Sequence, residues 1–204
     1  MADLEYIYGT MASGKTTKLL IDNYNYCKNG AKVIIVKPFV DTKGGNTVVS
    51  RMNESAEVDI LLKNGDSLLS KENFLLLSSA YVVLVDEAQF FDKKQVWEFW
   101  YLAHRFNIPI ICYGLKCDFL GNLFEGSSYL LSLSDIKTEL TVRCKCGKPA
   151  VFNARLIDNE YIISGDTLAI DGEYNVSYIP LCSDCFLEDV LKKENPSRVL
   201  KLDK

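Results

Sequence analysis

Histidine is almost missing from this chain of 204 residues: His104 is the single one. It falls among aromatics in a helix-like stretch and reads as a structural or partly exposed side chain, so a metal site here needs other donors. A surplus of positive charge is missing too. Lys and Arg number 23 against 27 Asp and Glu, giving a net charge of −4 and no electrostatic footprint for DNA or RNA. No apolar run approaches the roughly 18 residues of a membrane span. Met1-Ala2-Asp3 has neither the basic flank nor the apolar core of a signal peptide. The expectation is a cytoplasmic protein with no membrane and no nucleic-acid partner. In such a compartment the seven cysteines are poorly suited to disulfides. Repeats and low-complexity segments are absent. The length suggests one domain, or one domain with a small appendage.

What is present begins with Gly9-Thr10-Met11-Ala12-Ser13-Gly14-Lys15-Thr16, which fits the phosphate-loop pattern G-x-x-x-x-G-K-[ST] at every fixed position. The apolar, aromatic run Leu4–Tyr8 before it reads as a strand. Leu19, Leu20, Tyr24 and Cys27 after it recur at helical spacing. A glycine-rich turn between strand and helix start aims backbone N–H groups and the positive end of the helix dipole at one anion. Lys15 suits the β- and γ-phosphates, and the Thr16 hydroxyl suits Mg²⁺. Further strands are expected at Lys32–Lys37, Val58–Leu62, Tyr81–Val85 and Ile108–Tyr113, and helices at Ser67–Leu76 and Lys93–Phe106. Residues 39–57 are polar and read as a mobile loop. This alternation argues for an α/β fold, a parallel sheet flanked by helices.

The strand Tyr81–Val85 ends in Asp86-Glu87. The carboxyl end of a strand is where ligands gather in an open α/β sheet. Asp86 would hold Mg²⁺ beside Thr16, and Glu87 would position or deprotonate the attacking group. The same acids would also suit the cap of a following helix. Around residue 137 the style of the chain changes to short β-like pieces with Gly/Asp turns. Cys144-Lys145-Cys146-Gly147 and Cys182-Ser183-Asp184-Cys185 form two close pairs. Two such knuckles can close a tetrahedral Zn²⁺ site, which with four thiolates would be structural. Buried free thiols or a redox pair would use the same residues. Cys27, Cys112 and Cys117 are expected to pack in the core or line the nucleotide domain. The boundaries expected are 1–136 for a P-loop nucleotide-binding domain, 137–190 for a zinc-binding domain and 191–204 for a charged, loosely ordered tail.

Several matches coincide on one family. The loop Gly9–Thr17, with methionine in its middle, resembles that of the type II (cytosolic-type) thymidine kinases. Val85-Asp86-Glu87-Ala88-Gln89-Phe90-Phe91 is similar to the family's Asp-Glu-x-Gln-Phe signature. Tyr113–Phe119 and Leu123–Ser127 resemble its Tyr-Gly-Leu-Arg-Thr-Asp-Phe and Leu-Phe-x-Gly-Ser segments. Cys144 to Leu156, then Tyr178 ahead of Cys182, resembles its zinc-held lasso.

The resemblance implies a RecA-like P-loop fold with a small C-terminal zinc-containing lasso. It implies transfer of the γ-phosphoryl of ATP to the 5′-hydroxyl of thymidine, and of deoxyuridine, for nucleotide salvage. Glu87 would be the catalytic base. Gly9, Thr10, Met11, Ala12, Ser13, Gly14, Lys15, Thr16, Thr17, Asp86 and Gln89 would bind nucleotide. Met11, Phe119, Phe124, Arg155 and Tyr178 would bind the nucleoside. Cys144, Cys146, Cys182 and Cys185 would hold structural Zn²⁺, and Thr16 and Asp86 the Mg²⁺ that accompanies ATP. A homotetramer inhibited by dTTP is the implied assembly. The competing reading is a P-loop ATPase whose zinc ribbon binds nucleic acid, which the acidic composition disfavours.

Overall fold

In the computed structural model, residues 1–39, 45–163 and 176–191 are described. The chain divides into two units. The first comprises residues 1–8, 14–116 and 124–140, and the second 9–13, 117–123 and 141–204.

The first unit is built on the apolar runs. Its strands are β1 (Leu4–Gly9), β2 (Val33–Pro38), β5 (Ile60–Leu62), β6 (Val82–Val85), β7 (Ile110–Gly114) and β8 (Ile136–Leu140). They lie in the order β5-β2-β6-β7-β1-β8. β2 pairs in parallel with β5 and β6, and β7 in parallel with β6 and β1. All four β6 residues are fully buried, so the strand is central and its run is apolar without alternation. Successive side chains still point to opposite faces. Ile34, Val36, Val83 and Val85 join one core, with Val96, Phe99 and Leu102 of α3 (Lys93–Phe106) and Leu130 of α4 (Glu125–Leu133). Ile35, Val82 and Leu84 join the other, with Leu19 and Leu20 of α1 (Lys15–Lys28). The result is a helix–sheet–helix sandwich, the α/β architecture expected.

Three expectations need correction. Residues 47–57 are not a plain loop: β3 (Thr47–Val49) and β4 (Ser55–Glu57) form an antiparallel hairpin. Its turn is held by the Ser50 hydroxyl, which accepts from Met52 N and Glu54 N, so polar bonding replaces the apolar alternation that marks a strand. Helix α2 (Lys71–Leu77) starts later than Ser67, because the Ser70 side chain caps it by accepting from Asn73 N. Cys27 is exposed on α1, whereas Cys112 is buried in β7. Helix α4 was not anticipated at all. His104 sits near Asp135, with 3.4 Å between Nε2 and the carboxylate, and its ring meets Trp100, a structural placement.

The second unit carries an antiparallel sheet, β10 (Glu160–Ile162), β9 (Phe152–Ile157) and β11 (Val176–Leu181), in that order. Its core includes Ala150, Ala154, Leu181, Phe186 and Val190, with Phe152 stacked on Phe186 at 4.4 Å. A short helix α5 (Ser183–Phe186) follows β11. Part of the expected lasso (164–175) and nearly all of the expected tail (192–204) lie outside the described residues. No helix among the described residues is long and apolar enough to cross a membrane.

Candidate active site

The phosphate loop leaves β1 at Gly9 and enters α1 at Lys15. Ala12 and Gly14 take left-handed backbone, with φ of 62° and 82°, and Ser13 N donates to Thr10 O at 3.3 Å. Glycine is the residue for which that conformation carries no steric cost. Helix α1 has no side-chain cap and no acid in its first turn. Its opening N–H groups are therefore not claimed by a carboxylate of the helix itself, the condition for receiving an anion. Burial pulls the Lys15 ammonium down to about 8. Glu87 and Asp86 oppose that shift, and Arg51 adds to it. Arg51 lies in the β3–β4 turn, so a hairpin that the sequence hid brings a second cation into the field of Lys15.

β6 delivers the acids. Asp86 is buried, and its N–H donates to Val36 O at 2.9 Å. Glu87 adopts φ 47° and ψ 41°, left-handed backbone at a residue that pays a steric penalty there. A single 3₁₀ turn, Ala88–Phe90, follows. Gln89 is buried at 2% exposure, with its Nε2 donating to Glu87 Oε2 at 2.5 Å and its Oε1 accepting from Leu115 N at 2.9 Å. Phe124, ahead of α4, meets Phe90 edge-on at 5.6 Å. Thr16 and Thr17 sit in the first turn of α1. One hydroxyl and one buried carboxylate are a donor set that suits Mg²⁺, which keeps most of its sites for water and phosphate.

The second unit gathers the remaining site residues. On β9, alternation sends Phe152 and Ala154 to the core and Asn153 and Arg155 to the other face. β11 places Tyr178 directly opposite Arg155. Arg155 is buried with its guanidinium 5.0 Å from the Phe119 ring centre. Asn153 is buried too. Its Oδ1 accepts from Met11 N at 2.7 Å, and its Nδ2 reaches Cys117 O at 3.5 Å. Phe119 stays buried in a segment folded around Asp118, whose carboxylate accepts from Leu120 N and Asn122 N. Sequence reasoning singled out Met11, Phe119, Arg155 and Tyr178 but not Asn153, whose one signal was its place two residues before Arg155.

The four cysteines of the two knuckles converge. Their sulfurs all lie within 4.8 Å of one another, with Cys146 and Cys182 at 3.5 Å. A tetrahedron with Zn–S bonds near 2.3 Å has edges of about 3.8 Å, so the cluster suits zinc. Burial raises the Cys144 thiol, but hydrogen bonds from the backbone N–H groups of Cys146 and Cys182 and from the Cys185 and Cys146 thiols together bring it down to about 6. No other group of three or more His, Cys, Asp or Glu among the described residues is arranged to hold a metal.

A family model described as thymidine kinase matches residues 2–186. The thymidine kinase of Lactococcus lactis subsp. lactis (strain IL1403) is 39% identical over 184 residues, covering 89% of this chain and 95% of the relative. That of Pasteurella multocida (strain Pm70) is 38% identical with the same coverage. That of Enterobacteria phage T4 is 36% identical, covering 89% of this chain and 94% of its own.

Proposed function

Since the chain belongs to the thymidine kinase family, we propose that it transfers the γ-phosphoryl of ATP to the 5′-hydroxyl of thymidine, giving dTMP, and accepts deoxyuridine as well. The observation that supports this reading best is the shared field of Lys15, Asp86 and Glu87 within the first unit. Phosphoryl transfer asks little covalent chemistry of a protein, so positioning and charge compensation dominate. In the step proposed, the 5′-oxygen bonds to the γ-phosphorus as the bond to the β,γ-bridging oxygen breaks and ADP departs. The hydroxyl proton passes to the Glu87 carboxylate. Lys15 and the N–H groups of the loop Gly9–Thr17 hold the phosphates. Thr16 and Asp86 would hold the Mg²⁺ that accompanies ATP, which would supply charge neutralisation on the phosphates.

For the base, the sequence resemblance assigns Met11, Phe119, Arg155 and Tyr178 of the second unit, and Phe124 of the first, to nucleoside binding. Aromatic faces and hydrogen-bonding groups suit a small neutral pyrimidine. Cys144, Cys146, Cys182 and Cys185 would hold a structural Zn²⁺ that braces the unit carrying Arg155 and Tyr178. The enzyme works in the cytoplasm as a homotetramer and is inhibited by dTTP, as the sequence resemblance implies. Nothing in the fold favours the nucleic-acid-binding ATPase alternative. A coupled ADP-release assay across a nucleoside panel tests the proposal. ADP formation that follows thymidine and deoxyuridine is the expected result, and formation indifferent to added thymidine overturns it.

A further inference from the structure

The turn that carries Glu87 is held far more tightly than its length requires. A Cβ on Gly126, in the first turn of α4, would stand 2.7 Å from the carbonyl oxygens of Ala88 and Phe91 and 2.9 Å from that of Gln89. Helix α4 therefore presses directly on the backbone of the turn. On another side, a Cβ on Gly114 would stand 2.7 Å from Gln89 Oε1. The Gln89 amide oxygen thus sits at the end of β7, in space that only glycine leaves open.

That amide has one possible orientation. Leu115 N–H needs an acceptor, so Oε1 faces it and Nε2 faces Glu87 Oε2. The anchor is itself fixed: Leu115 O accepts from Tyr6 Oη at 2.7 Å and from Ser127 Oγ at 2.6 Å. A buried residue with both amide ends used, spanning a fixed backbone and a carboxylate, has its geometry fully specified.

We infer that Gln89 is a positioning residue for phosphoryl transfer: tied to the Leu115 backbone, it donates to Glu87 Oε2 and so fixes the carboxylate that takes the acceptor's proton. Held in this way, Oε2 is engaged and Oε1 accepts no hydrogen bond from a described residue, which leaves that oxygen for the 5′-hydroxyl. The inference rests on the reading of Glu87 as the base, and it gives Gln89 a task other than contact with nucleotide.

Steady-state kinetics on the full chain test it, with Gln89→Glu, Gly114→Ala, Glu87→Gln and the double variant Gln89→Glu/Glu87→Gln. Gln89→Glu keeps the acceptor for Leu115 N but removes the donor to Glu87. Gly114→Ala keeps the amide but displaces it. Each is expected to lower kcat about 10- to 100-fold, the scale of an ångström-sized misplacement, with KM for thymidine and ATP within about twofold. Adding Gln89→Glu to Glu87→Gln should cost nothing further, because a positioning residue has no effect once the group it positions is gone. Multiplicative losses in the double variant, or a raised KM for ATP with kcat intact, overturn the inference. Near-normal turnover of Glu87→Gln alone overturns the base assignment instead, a result read separately from the others. Thermal melts of Gln89→Glu and Gly114→Ala close to wild type exclude unfolding as the cause. If either melts early, the other carries the test.

Discussion

The turn after β6 and the sheet β9–β11 both carry proposed site residues, yet they are kept in shape by different means. The turn rises from a strand with no exposed residue, between a core on each sheet face, and it is wedged by Gly114 and Gly126. Such a setting can hold Glu87 in left-handed backbone, at a local cost of about 1–3 kcal/mol, because the surroundings over-determine it. The sheet of the second unit packs one face on a small apolar core, and two of the buried residues in that core are Cys144 and Cys182. A core that small gains much of its stability from staples. One region is ordered by burial, and the other adds a four-cysteine cluster to a small core. The lesson is that the acid and the proposed nucleoside-binding residues should fail under different insults.

Metal removal gives the largest expected break in that contrast. Structural zinc contributes on the order of 10 kcal/mol in small domains, more than the second unit's core can replace. Stripping the metal, or Cys182→Ser, should abolish thymidine phosphorylation while amides of β6 and β7 stay protected from hydrogen exchange. Metal analysis should find about one zinc per chain, and a metal-free enzyme of full activity would sink the assignment. Next in size is Glu87→Gln, expected to lower kcat about 10²-fold or more, as loss of a general base does. Its melting temperature should hold, since the turn is set by backbone packing.

The contrast also explains what the residue order revealed. β6 and β2 were legible because a buried parallel strand must be a continuous apolar run. Helix α4 was not, because its first turn is Glu125-Gly126-Ser127-Ser128, chosen for close approach to the Ala88 and Phe91 carbonyls and not for propensity. The hairpin of Thr47–Glu57 escaped because a side-chain-capped polar turn carries no periodicity. The cysteine spacing foretold a cluster, and four sulfurs within 4.8 Å are what it foretold. Gln89 and Asn153 were opaque as linkers for one reason: their partners lie 26 and 142 positions away, at Leu115 and Met11. Local patterns report on backbone shape, whereas a bridging amide is defined by where its far end lands.

Two smaller effects sharpen the comparison. The ammonium of Lys15 is pulled from 10.5 to about 8 by burial. In the free enzyme its charge is complete below that pH and lost above it. Affinity for ATP should therefore be flat below pH 8 and fall by up to tenfold per unit above it. Stability should move the other way: between about 8 and 10.5 the unfolded chain holds the extra proton, so this residue's contribution rises with pH across that window. Titration calorimetry beside thermal melts from pH 7 to about 10 would separate the two, and binding independent of pH would remove Lys15 from phosphate contact.

The smallest effect concerns Asn153, the β9 side chain that accepts from Met11 N at 2.7 Å. Its removal leaves one loop N–H without its acceptor, a loss of about 1 kcal/mol, or roughly fivefold in ATP affinity. The zinc cluster should remain intact in Asn153→Ala, because the side chain points away from the face that packs with Ala154 and Leu181. A raised KM for ATP at unchanged zinc content is the expected pair of readings. Loss of zinc together with affinity would instead make Asn153 a support of the sheet, and the hold on Met11 N would not be its task.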